Sequence, residues 1–122
     1  MLQFSEMDAK VRIFDQIEDR GGPVVLINTF TVAPEEAGQL ERAWADDAAW
    51  MQQQPGFIST QLHRGIAGSS VFLNYAIWES TAHFKAAFTN PEFRARLGHY
   101  PASAKASPHL FRKVAVEGIC GD

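Results

Sequence analysis

The run Val71-Phe72-Leu73-Asn74-Tyr75-Ala76-Ile77-Trp78 constrains this chain more than any other segment, because both of its alternating sides are largely apolar. Read as a strand, it puts Val71, Leu73, Tyr75 and Ile77 on one face and Phe72, Asn74, Ala76 and Trp78 on the other. A strand apolar on both faces needs cover on both. Helices of the same chain can cover one. The simplest cover for the other is a second copy of the sheet, in a symmetric dimer.

The remaining segments supply the rest of such a domain. Val24 to Val32 is rich in β-branched residues and predicts an earlier strand, whose even-numbered face (Val24, Leu26, Phe30, Val32) is interrupted by Asn28. Pro34, followed by Glu35 and Glu36, opens a helix to about Gln54, with Ala37, Leu40, Trp44, Ala48 and Met51 at helical spacing. Pro55-Gly56 ends it. Phe57 to Arg64 predicts a strand with Ile58, Thr60 and Leu62 on one side and Ser59, Gln61 and His63 on the other, and Gly65 to Ser70 a hairpin-like loop. Ser80 caps a helix carrying Phe84, Ala87 and Phe88, and Asn90-Pro91 interrupts it. Pro91 to Leu97 predicts a turn or short helix, residues 98 to 109 a loop, and Leu110 to Glu117 a last strand.

Strand, helix, strand, strand, helix, strand is the split βαβ order of ferredoxin-like domains, with the first and third strands as the central pair. The expected fold is therefore α+β, a ferredoxin-like split βαβ unit pairing as a dimeric α+β barrel. The domain is expected over 23–118, after an N-terminal extension over 1–22 and before a tail over 119–122. Within the extension, Val11, Ile13, Phe14 and Ile17 have loose helical spacing among five acids and three bases, and Gly21-Gly22-Pro23 follows. It reads as lying outside the core, either an arm on a partner subunit or a frayed end.

Composition narrows the function. With 122 residues, 46% of them hydrophobic, the chain supports one compact core. Eleven basic against 14 acidic residues give a net charge of −3, which does not suit nucleic acid. Cys120 is the single cysteine, so no intrachain disulfide forms and an intracellular, cytoplasmic protein is expected. No apolar run approaches the ~20 residues of a membrane span, and the N-terminal segment lacks the apolar stretch of a signal peptide. His63, His83, His99 and His109 show no metal-ligand spacing, so no metal is expected. Neither a phosphate loop, a dinucleotide fingerprint nor a nucleophile elbow is present.

What stands out is polar residues in apolar strands. Asn74 and Trp78 share a face with Phe72 and Ala76, and Asn28 sits on the strand expected beside them. Asparagine is depleted in strands, and a buried amide without partners costs about 1–3 kcal/mol. Each amide alone can be satisfied by neighbouring backbone, with Trp78 filling the core. Together, two amides and an indole N–H suit a pocket whose few polar groups orient a ligand. Trp44, Met51, Phe84 and Phe88 on the helices, with Phe72 on the sheet, supply flat apolar walls for an aromatic substrate.

At these residues the chain resembles the antibiotic biosynthesis monooxygenase superfamily. The motifs are Ile27-Asn28-Thr29-Phe30, Gln54-Pro55-Gly56-Phe57, Phe72 to Ser80, and Asn90-Pro91-Glu92-Phe93. Asn74 with Trp78, alongside Asn28, is similar to the cofactor-independent quinone-forming members, small dimeric enzymes that oxidise anthrones and naphthacenones with O2. The resemblance implies Asn28, Asn74 and Trp78 as active-site residues, His63, a strand histidine of some members, as the catalytic candidate for removing the substrate proton, no cofactor, and a homodimer acting on an aromatic polyketide. Phe84 stands where some members carry tyrosine. Haem-degrading relatives use an Asn on the first strand, a Trp ending the third and an axial histidine after the second helix. Here that region reads Phe93-Arg94-Ala95-Arg96-Leu97, with His99 near it. A non-catalytic dimeric ligand-binding module is the third reading, since one fold hosts many functions.

Overall fold

A computed structural model describes residues 2–121; Met1 and Asp122, the outer ends of the expected extension and tail, lie outside them. Five strands form one mixed sheet in the order β1-β5-β2-β4-β3. They are β1 (Gln3–Phe4), β2 (Val24–Thr31), β3 (Phe57–Arg64), β4 (Val71–Trp78) and β5 (Lys105–Phe111). β2 and β4 are the central antiparallel pair, in register from Val24 opposite Trp78 to Thr31 opposite Val71. β3 and β5 flank them antiparallel, and β1 joins β5 in parallel. The fold is the α+β, ferredoxin-like one.

The helices are α1 (Ile13–Gln16), α2 (Ala37–Met51), α3 (Thr81–Phe88) and α4 (Pro91–Arg96). A 3-10 turn at Pro34–Glu36 leads into α2, whose buried residues include Leu40, Ala43 and Asp47. The Ser80 hydroxyl accepts the His83 N–H at the start of α3, and Asn90 accepts from Glu92 at the start of α4. Pro91 at the first helical position loses no hydrogen bond there. These helices cover the sheet face that carries Leu26, Phe30, Phe72, Ala76 and Trp78, and the core lies between them.

Three expectations change: the place of the N-terminal extension, the bounds of the last strand and the side of β3 on which Ile58 lies. The N-terminal extension belongs to the core: Leu2, Ile13 and Ile17 are buried in the main cluster. Its charges face solvent, while the Gln16 side chain accepts from the Leu110 N–H and donates to the Leu110 carbonyl. The last strand begins at Lys105, inside the expected loop, and ends at Phe111, well before Glu117. Pro108 fits because Leu110, of the same strand parity, turns its N–H to Gln16 and away from β2, so a proline there removes no bond to β2.

In β3 the ladder shifts between Phe57, opposite Trp78, and Ser59, opposite Ile77. Ile58 is the extra residue and stands 51% exposed, so Phe57 rather than Ile58 joins Thr60 and Leu62 on the helix side. The turn before it requires glycine: Gly56 has φ +86°, and a side chain there would collide with the His83 ring. The 3-10 turn Leu97–His99 follows α4 directly and delivers Tyr100 into the core. Among the described residues no helix is long and apolar enough to cross a membrane.

Candidate active site

Between α2 and the sheet lies a pocket with about 490 Å³ of empty space, its mouth included. The sheet wall carries Asn28, Asn74 and Trp78 among Leu26, Phe30 and Ala76. The helix wall carries Trp44, Asp47 and Met51, and Phe57, Phe84, Phe93 and Tyr100 close the remaining sides. Strand alternation explains the sheet wall, since even-numbered residues of both β2 and β4 point toward the helices. Asn28 is the cross-strand partner of Asn74, and Trp78 follows Asn74 on the same side.

The amides are set differently. Asn74 Oδ1 accepts from the Thr60 hydroxyl at 2.5 Å. Asn28 Oδ1 is buried with no protein partner. Leaving a buried acceptor unpaired costs about 1–3 kcal/mol, a cost that a ligand's hydroxyl or N–H would remove. Trp78 is 1% exposed and held edge-on by Phe57 at 5.5 Å and Phe84 at 5.9 Å. Its ring plane is thereby fixed.

Asp47 and Tyr100 are absent from the sequence-based candidates. The Tyr100 hydroxyl donates to Asp47 Oδ2 at 2.9 Å, and its ring stacks on Phe30 at 5.9 Å. Asp47 Oδ1 is buried without a protein partner. Burial pushes the Asp47 carboxyl up to about 6, against the opposing pull of the Tyr100 hydrogen bond and of Arg96. Burial, with the Asp47 charge, also raises the Tyr100 phenol, which therefore stays a donor. One signal for Asp47 was in the sequence. It falls seven residues after Leu40, within roughly 20° of it around the helix.

Other expected site residues lie elsewhere. His63 is on the opposite face of the sheet, exposed and paired across the ladder with Leu73, because β3 turns Thr60 and Leu62 inward. It does not meet the amides. Phe72 is buried, with the Arg64 guanidinium 5.1 Å over its ring, but does not line the pocket. Phe88 stacks behind Phe84 at 5.1 Å and supports that wall without lining it. Trp44, Met51 and Phe84 do line it.

Residues 23–96 match the family model described as antibiotic biosynthesis monooxygenase. The chain belongs to that family. It is 34% identical over 101 residues to a heme oxygenase (mycobilin-producing) of Mycobacterium tuberculosis, covering 81% of this chain and 96% of that relative. It is 29% identical over 100 residues to tetracenomycin-F1 monooxygenase of Streptomyces glaucescens, covering 76% and 88%. Among solved structures, SnoaB, a cofactor-independent oxygenase from Streptomyces nogalater, superposes with a TM-score of 0.68 at 26% identity, covering 79% of this chain and 97% of that one. As an antibiotic biosynthesis monooxygenase family member, the chain thus has relatives with two different activities.

The site's own donors bear on that division. Among the described residues no histidine lines the pocket, and no three His, Cys, Asp or Glu side chains gather as metal ligands. His99 lies outside it, 63% exposed at its side chain, with Nδ1 3.4 Å from Asp46 Oδ2. Arg96 holds the same carboxylate at 3.6 Å. The segment after α3 thus carries an ion-paired arginine, and its one imidazole, His99, stands outside the pocket.

Proposed function

We propose that this chain is a quinone-forming oxygenase, oxidising an anthrone- or naphthacenone-type aromatic polyketide with O2 and needing neither metal nor flavin. The observation that carries this reading is the facing pair Asn28 and Asn74, with Trp78, on the wall of an aromatic-lined pocket that no histidine enters among the described residues. The similarity to SnoaB and to tetracenomycin-F1 monooxygenase supports it.

Triplet oxygen reacts slowly with closed-shell organic molecules, and enzymes usually recruit a cofactor that passes single electrons. An anthrone serves that purpose itself once its ring CH2 loses a proton. The anion gives one electron to O2, and the radical pair combines to a peroxide. Loss of the second C–H proton with cleavage of the O–O bond yields the carbonyl and water. In this account the protein favours the anion: the Asn74 amide N–H at the developing oxyanion stabilises it, a donor whose removal costs about 10²–10³ in rate. Trp44, Met51, Phe57 and Phe84 hold the flat ring system and exclude water.

The other sheet face motivates the second half of the proposal, a homodimer. Val71, Tyr75 and Phe111 are exposed there, with Val25, Ile27, Leu73 and Ile77 only partly covered. A second copy of the sheet buries them.

The test is oxygen uptake and quinone formation when metal-stripped protein meets an anthrone. Oxidation no faster than the buffer background rejects the reading. A haem titration run alongside addresses the other relative: a tight complex with a sharp Soret band, abolished in His99→Ala, would favour haem degradation.

A further inference from the structure

The proposed reaction removes a proton from carbon, and the sheet wall has nothing to receive it. Amides and an indole are not bases at neutral pH. The helix wall differs. Asp47 projects from the apolar stripe of α2 into the pocket and is 6% exposed. One carboxylate oxygen, Oδ2, is engaged by the Tyr100 hydroxyl at 2.9 Å, and the other, Oδ1, is buried with no protein partner. A carboxylate inside an apolar wall with one oxygen bare is costly to the fold, and a polar ligand atom is what would relieve it.

We infer that Asp47 is the catalytic proton acceptor of this pocket, through its free Oδ1, and that Tyr100 is the residue that positions it; the inference rests on the pocket's reading as an anthrone-oxidising site. Asp47 takes the first proton of the CH2 group as the C–H bond breaks and its electron pair passes into the ring. After O2 has taken one electron and the radicals have joined, Asp47 returns that proton to the peroxide anion. It then takes the second C–H proton as the O–O bond breaks, and passes it to the departing hydroxide. The sum is CH2 plus O2 giving C=O plus H2O, with the carboxylate regenerated.

The charged groups around Asp47 suit this role. Arg96 on α4 and His99 in the following turn act on it from outside; Arg96 is ion-paired to Asp46, and His99 Nδ1 lies 3.4 Å from the same carboxylate. Asp46, one residue back on α2, opposes ionisation of Asp47, and Tyr100 favours it. Burial is the largest influence and lifts the carboxyl to about 6, so that at neutral pH it is mostly ionised yet more basic than an ordinary carboxylate. Tyr100 reaches it from beyond α4 and stacks on Phe30, two residues from Asn28. It thereby ties the base to the strand that bears the amides.

Initial rates with an anthrone, from about pH 5 to about pH 9, for wild type, Asp47→Asn and Tyr100→Phe test the assignment. Wild-type kcat is expected to rise through an apparent pKa near 6 and then level. Asp47→Asn is expected to lose about 10²–10⁴ in kcat at neutral pH, with KM little changed and the acid limb gone. Tyr100→Phe keeps the base but removes the hydrogen bond that holds its pKa down, so its acid limb moves to higher pH. A merely structural tyrosine would lower the rate without moving the limb. Should Asp47→Asn fail to fold, the limb of Tyr100→Phe decides alone. Active wild type with Asp47→Asn within about threefold of it, or with the Tyr100→Phe limb unmoved, overturns the assignment and leaves the oxygenase reading standing. Wild type that oxidises no anthrone overturns both.

Discussion

Asn28 and Asn74 face each other across the β2–β4 ladder with opposite hydrogen-bonding needs. Asn74 has its carbonyl oxygen occupied by Thr60, which leaves its N–H2 group as the end free to donate, whereas Asn28 has an unpartnered carbonyl oxygen. A donor beside an acceptor suits a ring system in which a ketone or enolate oxygen neighbours a phenolic hydroxyl. Asn74→Ala is expected to lower kcat by about 10²–10³, because the donor it removes strengthens as oxyanion charge develops. Asn28→Ala is expected to raise KM for phenol-bearing anthrones more than it lowers kcat. Steady-state kinetics on the two variants separate these effects, and an unaltered kcat in Asn74→Ala would remove the amide from the mechanism.

That pair was legible in the sequence because strand alternation is strict: once β2 and β4 are neighbours, even-numbered residues of both share a face. His63 has no such support: alternation sets it opposite Thr60 and Leu62, its place at the site comes only from the resemblance, and pairing Leu62 with Asn74 sends it outward. β5 was hidden by Ser, Pro and Ala, which carry little strand preference, so its start is set by pairing with β2. Asp47 sat visibly on the α2 stripe, but its partner Tyr100 lies 53 residues away and no local pattern joins them.

The N-terminal segment offers a stability test. Ile13 and Ile17 are buried and Phe14 lies 5.7 Å from Phe88, with the Arg94 guanidinium 5.4 Å over its ring. Ile13→Ala is expected to destabilise the fold by about 2–5 kcal/mol, as for other buried aliphatic truncations. Phe14→Ala, at an exposed position, should cost less. Urea unfolding of the two variants measures this, and an Ile13→Ala midpoint equal to that of wild type would mean the segment is detached in solution.

The uncovered sheet face makes a separate prediction. Tyr75, midway along β4, and Val71, at its start, sit on the exposed side of the strand, on the surface that the proposed second copy would cover. A lysine at either place puts a charge into the proposed apolar interface. Tyr75→Lys is expected to sediment as a monomer under conditions where the wild type sediments as a dimer. Wild type that is monomeric at high concentration removes the proposed dimer.

Asp47 couples the site to stability in a direction that can be worked out. Its folded-state value of about 6 lies above the ordinary carboxylate value of 3.8, so between those two pH values the folded chain keeps a proton that the unfolded chain has released. Stability contributed by this group is therefore full below the lower value and declines as pH rises through the window, by about 3 kcal/mol in all. Asparagine cannot ionise and can still accept the Tyr100 hydrogen bond. Asp47→Asn is thus expected to be more stable than wild type at about pH 7.5, with the advantage shrinking toward zero near pH 4. Urea denaturation at the two pH values checks this. An advantage that is absent at neutral pH, or equal at both, would show that the carboxylate is not ionised against a burial penalty, and a base stored at the expense of the fold is what a pocket built for proton removal requires.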